Sequence, residues 1–269
     1  MTTPERTRPS DGRSVAEGDD RLWCIDSGEG EVLLVLHPGG TDVRALGPLL
    51  AEFAEGYRII APERRGHGHT PDRAGEWHFA DMAADTAALL DEMGVRRAQV
   101  VGWSDGAIVG LYLALSRPDL VSGLVFGGAP FHVDGWRAGV LGGEPPSFMA
   151  DAYAEVSPDG AEYWAVVTGK SNRMHVTEPA VSEDDLRTLA MPVLVVLGDD
   201  DEVRFDHAVR MYEALPDGEL AILPRSTHGL IVEKPDLLAR VIRDFHAPDK
   251  ANGVAPLRRH PDGHHGAGA

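Results

Sequence analysis

A single cysteine, Cys24, leaves no partner for an intramolecular disulfide, which excludes a disulfide-stapled secreted scaffold and makes a reducing compartment, by default the cytoplasm, the expected location. Positive charge is scarce as well. Lys and Arg number 25 against 43 Asp and Glu, a formal charge of −18, so a basic nucleic-acid-binding protein is excluded as the first reading. The acidic excess is spread along the chain rather than gathered in a block, and its expected consequence is solubility and repulsion from anionic lipid. Long apolar runs are missing: Val32 to Leu36 is typical, far below the roughly 18 to 20 residues that cross a bilayer. The opening MTTPERTRPSDGRSVAEGDDR has no apolar stretch after its first basic residues and does not read as a targeting segment.

What is present is enough for a substantial core, since 43% of the 269 residues are hydrophobic. Apolar β-rich runs alternate with amphipathic stretches, a pattern of parallel strands joined by crossover helices and hence an α/β fold. Strands are predicted at 22–27, 32–37, 57–63, 98–103, 122–128, 192–198 and 218–224, several apolar at consecutive positions, as when helices cover both sheet faces. Helical spacing marks 43–55, 79–94, 106–118 and 234–246. The alternation fails between Pro130 and Met191, where helical stretches appear without a convincing strand. An insertion there belongs over the carboxyl edge of such a sheet, where ligands bind, and 131–190 is expected to be a helical lid. The core is expected over 21–130 and 191–246, with disordered tails at 1–20 and 247–269.

The sharpest motif is Gly102-Trp103-Ser104-Asp105-Gly106, a G-x-S-x-G set between a predicted strand and a predicted helix. A nucleophile turn there is tight enough to need glycines on both sides, and it aims the helix N-terminus at any anion forming on Ser104. A serine needs a base, and the base needs an orienting acid. Both follow at the ends of later strands: Asp199-Asp200-Asp201-Glu202 after 192–198 and Ser226-Thr227-His228-Gly229 after 218–224. The Asp201–His228 interval accommodates one helix and one strand.

Taken together, HPGG (37–40), RRGHGHT (64–70), GWSDG (102–106), GDDDEV (198–203) and STHG (226–229) resemble the landmarks of the α/β-hydrolase family, across nearly the whole body of the chain. The resemblance implies a nucleophile elbow at Ser104, His228 as base and Asp201 as acid, with Asp199 and Asp200, nearer the strand, expected as solvated or capping groups. It implies a mostly parallel sheet with helices on both faces and no cofactor or metal. An oxyanion hole needs two N–H donors. One is expected from Asp105; Pro38 has none to give, which leaves Gly39, with Gly40 in reserve. GWSDG is also similar to amino-acid ester hydrolases of the valacyclovir-hydrolase type, which would have the Asp105 carboxylate pair with a substrate ammonium. A buried aspartate satisfied by backbone or a neighbouring Arg is the other reading of Asp105.

The activity this implies is cleavage of a small ester, thioester or lactone through an acyl-enzyme. Carbon–carbon bond hydrolysis, perhydrolysis and a non-catalytic ligand receptor remain open on the same residues. Trp103, Gly40 and Asp105 are candidate substrate contacts; Trp136, Phe148, Tyr153 and Trp164, beside Asp134, Glu144 and Asp151, suggest a mixed apolar and acidic mouth. His67 and His69 lack the companions of a metal site, and His260, His264 and His265 sit among Gly and Ala in the expected tail. HPGG lacks the spacing and lysine of a phosphate loop.

Overall fold

The structure, a computed structural model, describes residues 12–15 and 21–247. Eight strands form one sheet: β1 (Arg13–Val15), β2 (Leu22–Ser27), β3 (Glu31–Leu36), β4 (Tyr57–Pro62), β5 (Ala98–Trp103), β6 (Val121–Gly127), β7 (Val193–Asp200) and β8 (Gly218–Thr227). Their spatial order is β1-β2-β4-β3-β5-β6-β7-β8, with β1 and β2 antiparallel to their neighbours and all other pairs parallel. The helices are α1 (Gly47–Glu52), α2 (Phe79–Glu92), α3 (Asp105–Ser116), α4 (Ser147–Val156), α5 (Trp164–His175), α6 (Glu183–Leu186), α7 (Phe205–Ala214), α8 (Leu230–Glu233) and α9 (Pro235–His246). This is the α/β-hydrolase architecture.

The consecutive apolar residues of the central strands follow from burial on both faces. Along β3, Leu34 and Leu36 join the core under α2 and α3, while Leu33 and Val35 join the opposite core under α1 and α9. Helix α9 presents Leu238, Ile242 and Phe245 on one stripe, all buried, each contributing about 1.5–3 kcal/mol of hydrophobic stabilisation.

Two features depart from the sequence pattern. Arg13–Val15, inside the stretch expected as a tail, adds an edge strand to β2 and buries Val15. Three residues have too weak a periodicity to be read as a strand; pairing with an existing edge makes them one. The rest of the two expected tails, 1–11, 16–20 and 248–269, lies outside the described residues, His260, His264 and His265 included. The other departure is the antiparallel β2, whose short connection to β3 crosses the start of β4. A Cβ at Gly28 would stand 2.4 Å from the Tyr57 carbonyl and one at Gly30 2.7 Å from that of Gly56, so both positions, at φ +80 and +118, require glycine.

Between β6 and β7 the chain forms α4, α5 and α6 with short 3-10 turns. This insertion is pinned to the body by charge. Arg44 bridges Asp42, Glu155 and the Ala152 carbonyl, and Lys170 of α5 reaches Asp72 at 2.5 Å and the Arg73 carbonyl at 2.7 Å. Among the described residues no helix is long and apolar enough to cross a membrane.

Candidate active site

Ser104 stands between the end of β5 and the start of α3 with φ 53 and ψ −125, backbone that L residues rarely adopt. The tightness of the turn explains its glycines. A Cβ on Gly102 would lie 2.4 Å from the Gly106 carbonyl, and one on Gly106 2.2 Å from that of Leu36. The Ser104 N–H is held by the Gly127 carbonyl at 2.8 Å.

The ends of β7 and β8 bring two further side chains to the serine. His228 Nε2 is 3.1 Å from Ser104 Oγ, and His228 Nδ1 is 2.9 Å from Asp201 Oδ1. Asp201 is buried and also accepts the N–H groups of Gly198 and Glu202. Because a carboxylate can only accept, Nδ1 carries the proton and Nε2 is left to accept from the serine hydroxyl. Burial disfavours a charged His228, but the hydrogen bond and charge of Asp201, with Glu202 and Asp105 behind them, outweigh it and raise its pKa above the usual imidazole value. Of the alternative carboxylates, Asp199 accepts the Ser226 N–H at 3.0 Å, tying β7 to β8, and Asp200 is exposed.

A cavity of about 450 Å³ opens over Ser104, with Gly39, Gly40, Asp105, Trp136 and His228 in its wall. A second, of about 250 Å³, adjoins it across Gly40, Phe148, Met149 and Trp164. Tyr153 belongs to that second cavity. The carboxylates at the first are Asp105 and Glu202, not the Asp134, Glu144 and Asp151 read from the insertion. Asp134 is taken up by His132 and His207.

The loop that carries Gly39 is braced from beneath. The buried Arg64 guanidinium bonds the carbonyls of His37 and Pro38, and its backbone N–H donates to His37 Nε2 at 3.2 Å. Gly39 packs on the Asp105 carboxylate so closely that a Cβ there would be 2.2 Å from Oδ2. A proline at Gly39 would both remove an N–H from this loop and displace a buried carboxylate.

Trp103 differs from a simple substrate contact. Its indole N–H donates to the His228 carbonyl at 2.9 Å, and its ring packs against Gly127 and Gly128, so it holds the histidine loop while lining the cavity. His67 and His69 are local: His67 bonds the Arg65 carbonyl, and His69 pairs with the buried Glu63 and stacks on Trp23. No cluster of three metal-ligating side chains occurs among the described residues.

One site residue escaped the sequence. His175, at the end of α5, places Nε2 2.9 Å from Asp105 Oδ1 and Nδ1 2.8 Å from the Ser171 carbonyl. The carboxylate and the carbonyl only accept, and the Ser171 hydroxyl, 3.4 Å from Nδ1, can accept as well, so the contacts fit a ring protonated on both nitrogens and positively charged. Burial works against that charge, yet Asp105 raises His175 to about 9; burial likewise opposes the Asp105 carboxylate, which His175 brings down to about 2. A lone histidine on a helix of the insertion has no spacing that announces it.

A mostly parallel eight-stranded sheet with a serine, a histidine and an aspartate converging at its carboxyl ends defines an α/β-hydrolase. The sequence profile of the alpha/beta hydrolase fold matches residues 32–165. The chain is similar to RutD of Shigella flexneri serotype X (strain 2002017), provisionally named a carbamate hydrolase, at 27% identity over 85% of this chain and 92% of that protein. It is 26% identical to the 2-hydroxy-6-oxo-2,4-heptadienoate hydrolase of Pseudomonas putida (strain F1), over 88% and 97% of the two chains. Among solved structures, the esterase RhEst1 from Rhodococcus sp. ECU1013 superposes with a TM-score of 0.68 at 26% identity, covering 87% of this chain and 98% of its own. The chain belongs to the α/β-hydrolase fold family and is a hydrolase.

Proposed function

We propose that the protein is a serine hydrolase that cleaves a small carboxylic ester, thioester or lactone through an acyl-enzyme. The observation that carries this is the unbroken relay Ser104–His228–Asp201, with contacts of 3.1 and 2.9 Å, set on a strained turn at the N-terminus of α3. Ser104 Oγ attacks the carbonyl as His228 Nε2 takes its proton; Asp201 orients the imidazole and stabilises its charged form. The N–H groups of Asp105 and Gly39 stabilise the oxyanion. His228 then returns the proton to the leaving group, and a water activated by the same histidine releases the acid. These residues supply nucleophile, base, acid and donors, so the step balances without a further group. Residues 131–190 act as the lid of this site.

The narrower likeness to amino-acid ester hydrolases would have Asp105 read a substrate ammonium, but the carboxylate is engaged by His175, which supports an uncharged acyl group instead. Carbon–carbon bond hydrolysis draws support from the name of the Pseudomonas putida relative and uses the same three residues.

A fluorophosphonate should label the protein stoichiometrically on Ser104, located by mass spectrometry, and the adduct should disappear in His228→Ala. A folded wild-type protein that takes no label would defeat the serine hydrolase reading. A panel of esters against a vinylogous diketone then separates the two chemistries.

The pH profile provides a second check. The base must be neutral, so kcat/KM should fall as pH drops through the His228 pKa, with the midpoint above the ordinary value of 6.5. Glu202, whose Oε2 lies 3.8 Å from His228 Nε2, contributes to that elevation. Glu202→Gln should therefore move the acid limb to lower pH; an unmoved limb would remove Glu202 from the electrostatics of the base.

A further inference from the structure

Beside the nucleophile, the cavity wall holds two buried charges of opposite sign that the acyl-transfer steps do not use. The Asp105 side chain is 8% exposed and that of His175 11%, and both line the cavity with Ser104. A carboxylate so placed attracts whatever cation can reach it. Here the cation is built in: α5 of the insertion carries His175 to 2.9 Å from Oδ1, and the Ser171 carbonyl on the same helix holds the other ring nitrogen. Arg64, the other buried cation near Asp105, spends its guanidinium on the carbonyls of His37 and Pro38. Around His175 stand the Phe79 ring of α2, edge-on at 5.6 Å, and the Trp136 ring at 6.4 Å, with Glu178 adding negative charge from the turn after α5.

We propose that His175 is a specificity-determining residue: it occupies the cation position beside the nucleophile, so that the enzyme takes uncharged acyl groups and rejects esters bearing an α-ammonium. This deepens the serine hydrolase reading and rests on it. A substrate ammonium would have to enter next to an imidazolium in a desolvated wall, where like charges repel strongly. Without the imidazole, Asp105 would be a buried carboxylate with no side-chain cation bonded to it and only the field of Arg64 to offset its charge, next to a space of imidazole size. An α-ammonium can then supply the missing charge, because burying a carboxylate alone is costly.

The test compares L-valine p-nitrophenyl ester with p-nitrophenyl 3-methylbutanoate, its des-amino analogue, below the pKa of the α-amine. Wild-type protein should prefer the des-amino ester by at least about tenfold in kcat/KM. His175→Ala should move that ratio at least about tenfold toward the amino ester, and His175→Gln, which keeps a donor to Asp105 and most of the volume, should move it less. Asp105→Asn added to His175→Ala should cancel the gain, which a merely structural loss would not produce. A measurement on unaltered protein stands whether or not the variants fold: nitrogen NMR of His175 should show a doubly protonated ring at neutral pH. A neutral ring, a wild-type preference for the amino ester, or a ratio unmoved in variants whose Ser104 still takes fluorophosphonate would overturn this inference alone. Loss of labelling in the wild type would overturn the serine hydrolase reading with it.

Discussion

Ser104→Gly should abolish turnover and at the same time raise the melting temperature. The two effects have one origin. Ser104 is held at φ 53 and ψ −125 by the Gly127 carbonyl on its N–H and by the close packing of Gly102 and Gly106, so that Oγ projects toward His228. Backbone of this kind costs a non-glycine residue about 1–3 kcal/mol, and glycine adopts it freely. Glycine's greater freedom in the unfolded chain returns up to about 1 kcal/mol of that gain, which leaves the strain relief the larger effect. For a chain of this length about 1 kcal/mol corresponds to a rise of roughly 2–4 °C, measurable by calorimetry. Removal of the nucleophile should lower kcat by as much as about 10⁶-fold, because serine, base and acid act as one unit. A variant that melts lower than the wild type would mean that the elbow is not strained; residual activity near the wild-type rate would place the nucleophile elsewhere.

The largest effect on stability is expected away from the nucleophile. Lys170→Met should destabilise the protein by about 3–5 kcal/mol, the usual consequence of stripping one partner from a buried ion pair. Lys170 and Asp72 have side chains only 8% and 2% exposed, and their contact at 2.5 Å joins α5 to the loop after β4. Asp72 also accepts from Trp77 Nε1 at 2.8 Å and from the Tyr163 hydroxyl at 3.0 Å. Burial disfavours its charge, but Lys170 and these donors bring its pKa below the ordinary carboxylate value. A depressed folded-state pKa means that the stabilisation is present above the unfolded value and is lost as pH falls through the folded one. The cost of Lys170→Met should therefore shrink in acid. Adding Asp72→Asn should recover part of the loss at neutral pH, since the unpaired charge goes with it. Urea titrations of wild type, the two single variants and the double variant measure the coupling. A loss under about 1 kcal/mol for Lys170→Met would show that Asp72 is already satisfied by Trp77 and Tyr163. The same pair helps to hold α5, and through it His175, over Asp105.

Much of the site was legible before any coordinates because its chemistry sits in contiguous stretches at strand ends. GWSDG lies between an apolar strand and an amphipathic helix, and the glycines that flank Ser104 are there because the turn leaves no room for a Cβ. Asp201 and His228 follow the next two parallel strands, whose carboxyl ends the topology gathers at one edge of the sheet. The strands themselves were readable to within a few residues, since two-sided burial demands uninterrupted apolar runs.

The sequence by itself determined the class of fold, the order of the central strands and helices, and the residues able to form a relay, because each depends on short-range pattern and turn chemistry. Only the tertiary structure decided which charges meet. It added Arg13–Val15 to the sheet, because a lone edge strand exists by pairing and not by periodicity. It set Asp105 against His175, 70 residues away, and Lys170 against Asp72, 98 residues away, since no spacing encodes which buried acid a base on an inserted helix will reach. It also turned Gly39 from a simple N–H donor into a packing contact of Asp105, because the distance between two loops is known only once both are folded.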